Sequence, residues 1–178
     1  ITGSDSDLSI RTFVSNDKIE GAEIIQEGSI VLPAKEFSSI ARSMPNNTIS
    51  IKSIGALQVE ISSGKSKFTL NGMDGNEYPK LPAVDGESFT IKGATLKSLI
   101  EKTVYAVSKS ETRPILTGVN VFFENGKLGM VATDSHRLAK VVGGDIQGVT
   151  PAENVTLPEK TLKELPAIID NSKEVIVM

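Results

Sequence analysis

The sequence predicts an α+β protein made of repeated β-α-β-β-β units, with helices on one face and antiparallel sheets on the other. Three observations carry that prediction. Residues 30–37 (IVLPAKEF), 89–96 (FTIKGATL) and 155–162 (VTLPEKTL) align without gaps. Each reads as three strand-forming residues, a proline or polar residue, a helix start, and a large apolar anchor. Each then runs into a stretch whose apolar residues recur at helical spacing. After the first two come runs that alternate apolar and polar residues, as half-buried strands do.

Taken in order, the first helix carries Phe37, Ile40, Ala41 and Met44 at i, i+3, i+4 and i+7, one apolar stripe. Strands are expected in TISIKSI, ALQVEIS and KSKFTLNG over residues 48–72, with turns at Gly55 and Ser63-Gly64. The second helix repeats the stripe with Leu96, Leu99, Ile100 and Val104. Its strands are ILTGVNVFFE, KLGMVATD and HRLAKVV, and Asn125-Gly126 between the first two is a hairpin signal. The third helix offers Leu162, Leu165 and Ile169 but holds Pro166, which predicts a kink or restart there. A second recurrence, SDS at 4–6, MDG at 73–75 and TDS at 133–135, marks strand ends. The stretch 73–87, rich in Gly, Pro and acids, reads as a connection between domains, with residues 76–86 as the linker proper. Domains are therefore expected at 1–75 and 87–178, each lacking part of its fold. Ile1 opens inside a strand-like pattern and EVIVM ends in another.

Composition narrows the function. With aromatics at 4% and no Trp, the core must come from Ile, Leu and Val. A net charge of -3 makes the chain no general magnet for nucleic acid, so anion binding would need its lysines gathered on one face. The absence of cysteine excludes disulfides, thiolate metal sites and a cysteine nucleophile. No apolar run is long enough to span a bilayer as a helix.

The segments TGSDSDLSI, SGKSKFTLNGMDGNEYPKLP, SETRPILTGV and ATDSHRLA, in that order and spacing, resemble the bacterial DNA sliding clamps, the beta subunits of DNA polymerase III. The resemblance covers essentially the whole chain; Pro33 and Pro166 are local departures from it. It implies the DNA clamp fold, in which three similar domains form each chain and two chains close head to tail around duplex DNA. Residues 1–75 would belong to domain one and 87–178 to domain two, with domain three absent from this sequence. The implied function is a non-catalytic, cytoplasmic processivity factor in DNA replication, with no cofactor and no metal. Its partners would be duplex DNA without sequence preference, the polymerase catalytic subunit, the clamp loader, other proteins bearing short peptide motifs, and a second copy of the full-length chain.

Candidate residues follow from the same two sources. Lys35, Arg42, Lys97, Lys102, Lys160 and Lys163 lie on polar helix faces, where long cations can meet phosphates without reading bases. Glu36, Glu101, Glu159 and Glu164 dilute them. In KSKFTL, alternation puts Lys65, Lys67 and Thr69 on one face and Phe68 and Leu70 on the other. By resemblance this strand is the subunit interface, with Lys65, Lys67, Phe68 and Leu70 in contact. The resemblance also makes Arg113, Leu116, Thr133, Ser135, His136, Arg137 and Leu138 half of a peptide-binding pocket. Leu116 and Leu138 would form its apolar floor, and Arg113, His136 and Arg137 its rim of donors.

An enzymatic alternative uses the same stretch: a small hydrolase or metal enzyme built on Asp134, His136 and the acids Asp5 and Asp7. Adjacent strand residues point to opposite faces, which separates Ser135 from His136, and no Gly-x-Ser-x-Gly elbow occurs. One histidine is too few for a usual metal site, and SDSD at 4–7 lacks the glycine and distal glutamate of a calcium loop. It reads as a turn rich in side-chain caps. An extracellular β-repeat adhesin fits the lack of cysteine but not the basic helix faces.

Overall fold

The computed structural model describes residues 1–5, 7–13, 21–45, 48–148 and 153–178. The chain divides into two units, Ile1–Pro82 and Ala83–Met178. Ser6, part of the first SDS, lies outside the described residues.

In the first unit, β1 (Thr2–Ser4) and β2 (Ser9–Arg11) form a short hairpin, and β3 (Ile30–Val31) pairs with β7 (Met73–Asp74). Helix α1 (Ala34–Ser43) starts after Pro33 and ends where the Ser43 hydroxyl bonds the Ile40 carbonyl and Met44 turns extended. Most of its stripe packs inward, with Phe37 and Ile40 on the buried Met44, Val59 and Ile61, while Ala41 is exposed. Strands β4 (Ser50–Ser53), β5 (Gln58–Ser63) and β6 (Ser66–Asn71) form an antiparallel sheet in that order. Ile51, Ile61 and Phe68 stand opposite one another, as do Ser53, Val59 and Leu70, so this face is apolar. The β5–β6 turn falls at Gly64-Lys65, with Gly64 at φ 57°, so Ser63 stays in the strand. Lys65 therefore does not alternate with Lys67 along β6: it belongs to the turn. Part of the expected linker is ordered, since Met73–Asp74 is strand and Gly75–Glu77 a 3-10 turn.

The second unit repeats the motif as β8 (Phe89–Lys92), α2 (Gly93–Glu101), β9 (Gly118–Glu124), β10 (Lys127–Thr133) and β11 (Leu138–Asp145). Asn125 and Gly126 both take positive φ, 53° and 73°, which closes β9 onto β10 in a tight hairpin. After β12 (Gln147–Gly148) the next repeat begins with β13 (Val155–Pro158), α3 (Glu159–Ile168) and β14 (Glu174–Val177). The opening strands do not stay with their own repeats. β13 pairs with β9, and β8 pairs with β14, giving sheets ordered β11-β10-β9-β13 and β12-β8-β14. Strands of both sheets and the two helices contribute to one core that includes Ile91, Leu96, Leu99, Ile100, Val119, Leu128, Met130 and Leu162, all buried.

Two local expectations are corrected. Helix α2 ends at Glu101, where the Thr103 hydroxyl takes the Leu99 carbonyl at 2.8 Å, so Val104 packs on the core from a 3-10 turn, Val104–Ala106. Lys102 consequently sits just past the helix. No restart occurs at Pro166: α3 runs through it as one element. The proline stands in the last turn, where the missing N–H deprives only the Leu162 carbonyl, and Ile169 N–H closes on Leu165 O at 3.0 Å.

Leu162 is fully buried in the core of the second unit, and its truncation leaves a cavity there. Leu162→Ala should cost about 2–5 kcal/mol of stability in denaturant unfolding of the full-length chain. The exposed Glu164→Ala on the same helix should stay within about 0.5 kcal/mol of the parent.

Candidate functional site

The stretch 134–137 is a turn, not a strand. β10 stops at Thr133 and β11 resumes at Leu138, directly opposite it. Asp134 builds the turn: its Oδ1 accepts the N–H groups of His136 and Arg137, each at 3.0 Å, and its own N–H reaches Arg137 O at 3.3 Å. Asp134 Oδ2 takes the Arg137 Nε at 2.9 Å. The Thr133 hydroxyl donates to Arg137 O at 2.7 Å and accepts from Ser135 N–H at 3.2 Å. Ser135 is thereby held at φ 77°, a left-handed conformation that only local hydrogen bonding makes tolerable. Backbone N–H groups of His136 and Arg137, then the guanidinium, favour the carboxylate and hold Asp134 below the ordinary value of 3.8.

A second segment faces this turn. Pro114–Thr117 forms a 3-10 turn, tied by Leu116 N–H to Arg113 O at 3.0 Å and by Ser108 N–H to Leu116 O at 2.8 Å. Arg113 Nη1 reaches across to the Ser135 hydroxyl at 3.1 Å. Arg137 Nη2 crosses the other way to the Tyr105 carbonyl at 2.7 Å, with its guanidinium 5.6 Å from the Tyr105 ring centre. The structure thus brings Arg113 to Ser135 and gathers Thr133, Ser135, His136, Arg137 and Leu138 into one turn. Leu116 is half-buried, while Leu138 is 65% exposed and His136 and Arg113 are exposed. Arg137 differs from expectation. Its Nε and Nη2 are engaged within the protein, so it braces the turn more than it rims a pocket. Sequence reasoning missed Tyr105 altogether, since nothing local announces a contact to a residue so distant along the chain.

The enzymatic alternative finds no support in this geometry. Asp134 is bound by backbone N–H groups and Arg137, the Ser135 hydroxyl accepts from Arg113, and the His136 ring has no hydrogen-bond partner among the described residues. No nucleophile–base–acid chain is assembled. The acids near the N-terminus form the same turn again: Asp5 Oδ1 accepts from Asp7 and Leu8 N–H at 2.9 Å, and Asp5 N–H reaches Leu8 O. Among the described residues no three His, Asp or Glu side chains gather as metal ligands.

Of the helix cations, Lys35 and Arg42 are exposed on α1, Lys160 and Lys163 on α3, and Lys102 just beyond α2; Lys97 is half-buried. Lys163 bonds Glu159 at 2.7 Å, and Glu159 also binds Lys109. Burial works against the Glu159 carboxylate, but the two lysines outweigh it and lower its pKa, while Glu159 raises that of Lys163. On β6, an edge strand among the described residues, Lys67 pairs with Glu60 at 2.6 Å. Phe68 is 39% exposed, whereas Leu70 packs into the core.

Residues 90–178 match the family described as DNA polymerase III beta subunit, central domain, and residues 1–82 match its N-terminal domain. The chain is 44% identical to the beta sliding clamp of Halalkalibacterium halodurans over 99% of its own length and 48% of that protein. It is 45% identical to that of Bacillus subtilis over 98% and 47%. The chain spans about half the length of the curated relatives it matches. Among solved structures, the DNA polymerase sliding clamp of Bacillus subtilis superposes with TM-score 0.86 at 45% identity, covering 98% of this chain and 47% of that one. The DNA polymerase III beta chain of Streptococcus pneumoniae gives 0.90 at 34%, with the same coverage. The fold is that of the sliding clamps, and the chain belongs to the DNA polymerase III beta subunit family.

The folded Asp134 pKa lies below its ordinary value, so its contribution to the turn is complete above about pH 3.8 and is lost as pH falls through the depressed value. Amide exchange at His136 and Arg137 should therefore stay protected through mildly acidic pH and quicken only below it. Asp134→Asn should remove that pH step and leave exchange faster throughout.

Proposed function

We propose that this chain is part of a DNA sliding clamp, a non-catalytic processivity factor that encircles duplex DNA and tethers the replicative polymerase. The family membership and the exposed Leu138 beside the Arg113–Ser135 bridge are the observations that carry this reading. Partner proteins, the polymerase catalytic subunit and the clamp loader among them, would place a leucine or phenylalanine of a short motif on Leu138 and Leu116. Arg113 and His136 would then donate to the peptide's carbonyl, amide or acidic groups. In the full-length protein two copies would close head to tail, with Phe68 as the apolar contact and Lys67 at its rim. Leu70 and Phe68 share one face of β6, but Leu70 packs against the core of its own unit while Phe68 stays 39% exposed, which leaves Phe68 to make that contact. The protein would act in the cytoplasm, where replication occurs; among the described residues no helix is long and apolar enough to cross a membrane.

The pocket is tested by titrating a labelled peptide from the polymerase tail into the full-length protein. Anchors of this kind contribute about 1–3 kcal/mol each, or about 5- to 150-fold in affinity. Leu138→Asp should abolish binding with folding intact, and Arg113→Ala should weaken it less.

For DNA, the helix cations would meet phosphates without base contacts. The net charge of -3 and the Glu159–Lys163 pair keep the attraction weak. Binding to linear duplex should fall steeply with salt and show no sequence preference. Replacing Lys97 and Lys102 with Glu should weaken it and flatten the salt dependence, by roughly 0.9 in log–log slope for each phosphate that is no longer neutralised.

A further inference from the structure

The two arginines that bridge the candidate pocket are held very differently. Arg113 has one described side-chain bond, to an exposed serine hydroxyl, which an incoming peptide can replace. Arg137 is fixed on three sides: Asp134 Oδ2 at 2.9 Å, the Tyr105 carbonyl at 2.7 Å, and the Tyr105 ring at 5.6 Å. Its own carbonyl and N–H also close the turn. Tyr105 sits in the 3-10 turn Val104–Ala106, whose Ala106 is fully buried and which continues through the buried Val107 toward Arg113 and Leu116. The segment is therefore a firm base, although the Tyr105 side chain is itself 56% exposed.

We propose that Tyr105 is a positioning residue for the peptide pocket: it pins the Arg137 guanidinium, and through it the 134–137 turn, so that His136 and Leu138 stand outward in the orientation a peptide meets. This rests on the peptide-pocket reading above. The ring acts through its π face, over which the guanidinium carbon lies 5.6 Å from the ring centre; a phenyl group offers that face as well as a phenol, and an aliphatic chain does not. The tyrosine hydroxyl is not required. The mechanism divides the labour between the arginines: Arg137 holds the site in shape, and Arg113 exchanges its serine for the ligand.

The test is a mutant cycle in the full-length protein, read by affinity for a labelled polymerase-tail peptide and by thermal unfolding. Tyr105→Leu should weaken binding about two- to fivefold at an unchanged melting temperature, and Tyr105→Phe should bind as the parent does. Arg137→Gln should weaken binding, and adding Tyr105→Leu to it should cost nothing more, because the tyrosine acts only through the arginine. Parent-like binding by Tyr105→Leu, equal losses for Leu and Phe, or additive losses in the double variant would each overturn the proposal; equal losses would place the hydroxyl in direct contact with peptide. If Leu138→Asp binds normally, the pocket reading itself fails. Amide exchange at His136 and Arg137, unchanged by Tyr105→Leu, would then refute the pinning of the turn as well, and faster exchange would uphold it.

Discussion

The second unit depends on an exchange of opening strands between consecutive repeats. β8 leaves its own meander to pair with β14 through Phe89–Val177 and Ile91–Val175, while β13 joins β9 through Val119–Leu157 and Val121–Val155. Neither repeat then owns a complete sheet, and each helix follows a strand that belongs to the other's side. The result brings α2 and α3 into contact and gathers Ile91, Ile100, Val119 and Leu162 into one core. Burial of aliphatic side chains is the main stabilising term available to a chain with few aromatics and no disulfides. The exchange makes that burial possible, because it closes both sheets over one core. The glycines at the crossings follow from it: a Cβ on Gly118 would stand 2.6 Å from the Leu157 carbonyl oxygen, and one on Gly93 2.3 Å from that of Asp170.

A second device recurs at the strand ends. Asp5 and Asp134 each accept the N–H groups of the residues two and three positions on, and each closes a hairpin whose flanking residues pair, Ser4 with Ser9 and Thr133 with Leu138. The backbone solution is shared, and the side chains it displays are not. The first turn presents Asp7, Leu8 and Ser9 where the second presents His136, Arg137 and Leu138. Only the second places a guanidinium where it can bridge to a neighbouring segment. The acid that shapes the turn is common to both, and what differs is the set of side chains the turn displays.

Much of this was legible in the sequence because it depends on local periodicity. The stripe of Phe37 and Ile40, that of Leu96, Leu99 and Ile100, the Asn125-Gly126 hairpin and the repeated strand–helix openings all follow from residue spacing. The strand exchange was not legible, since a β-strand's pattern reports which face is buried and not which partner it joins. Pro166 misled as to a restart because propensity takes no account of position within a helix: in the last turn it removes one bond, and the helix still runs on to Ile168. Lys65 misled by one residue of register, which in a hairpin separates turn from strand. At the site, TDS at 133–135 was legible as a strand end, but HRLAKVV read as strand from His136 on, so the turn closed by Asp134 was not seen; the resemblance supplied Thr133, Ser135, His136, Arg137 and Leu138 together with Arg113 and Leu116. Tyr105 was invisible because its contact to Arg137 runs partly through a backbone carbonyl, which carries no residue-type signal.

Part of the charge in the second unit is answered at home. Glu159 engages Lys109, on the loop that leads to Arg113, and Lys163, on the polar face of α3. Asp134 engages Arg137, and Asp170 engages Lys173. Exposed pairs of this kind add little to stability, about 0–1 kcal/mol each, so their larger effect is on what remains for a partner. A polyanion approaching α3 must compete with Glu159 for Lys163, and salt screens both attractions alike. A protein meant to grip one DNA sequence would be poorly served by such compensation. One that must stay on duplex while moving along it needs its hold to come from enclosure, with side-chain attraction kept weak enough to release each phosphate in turn.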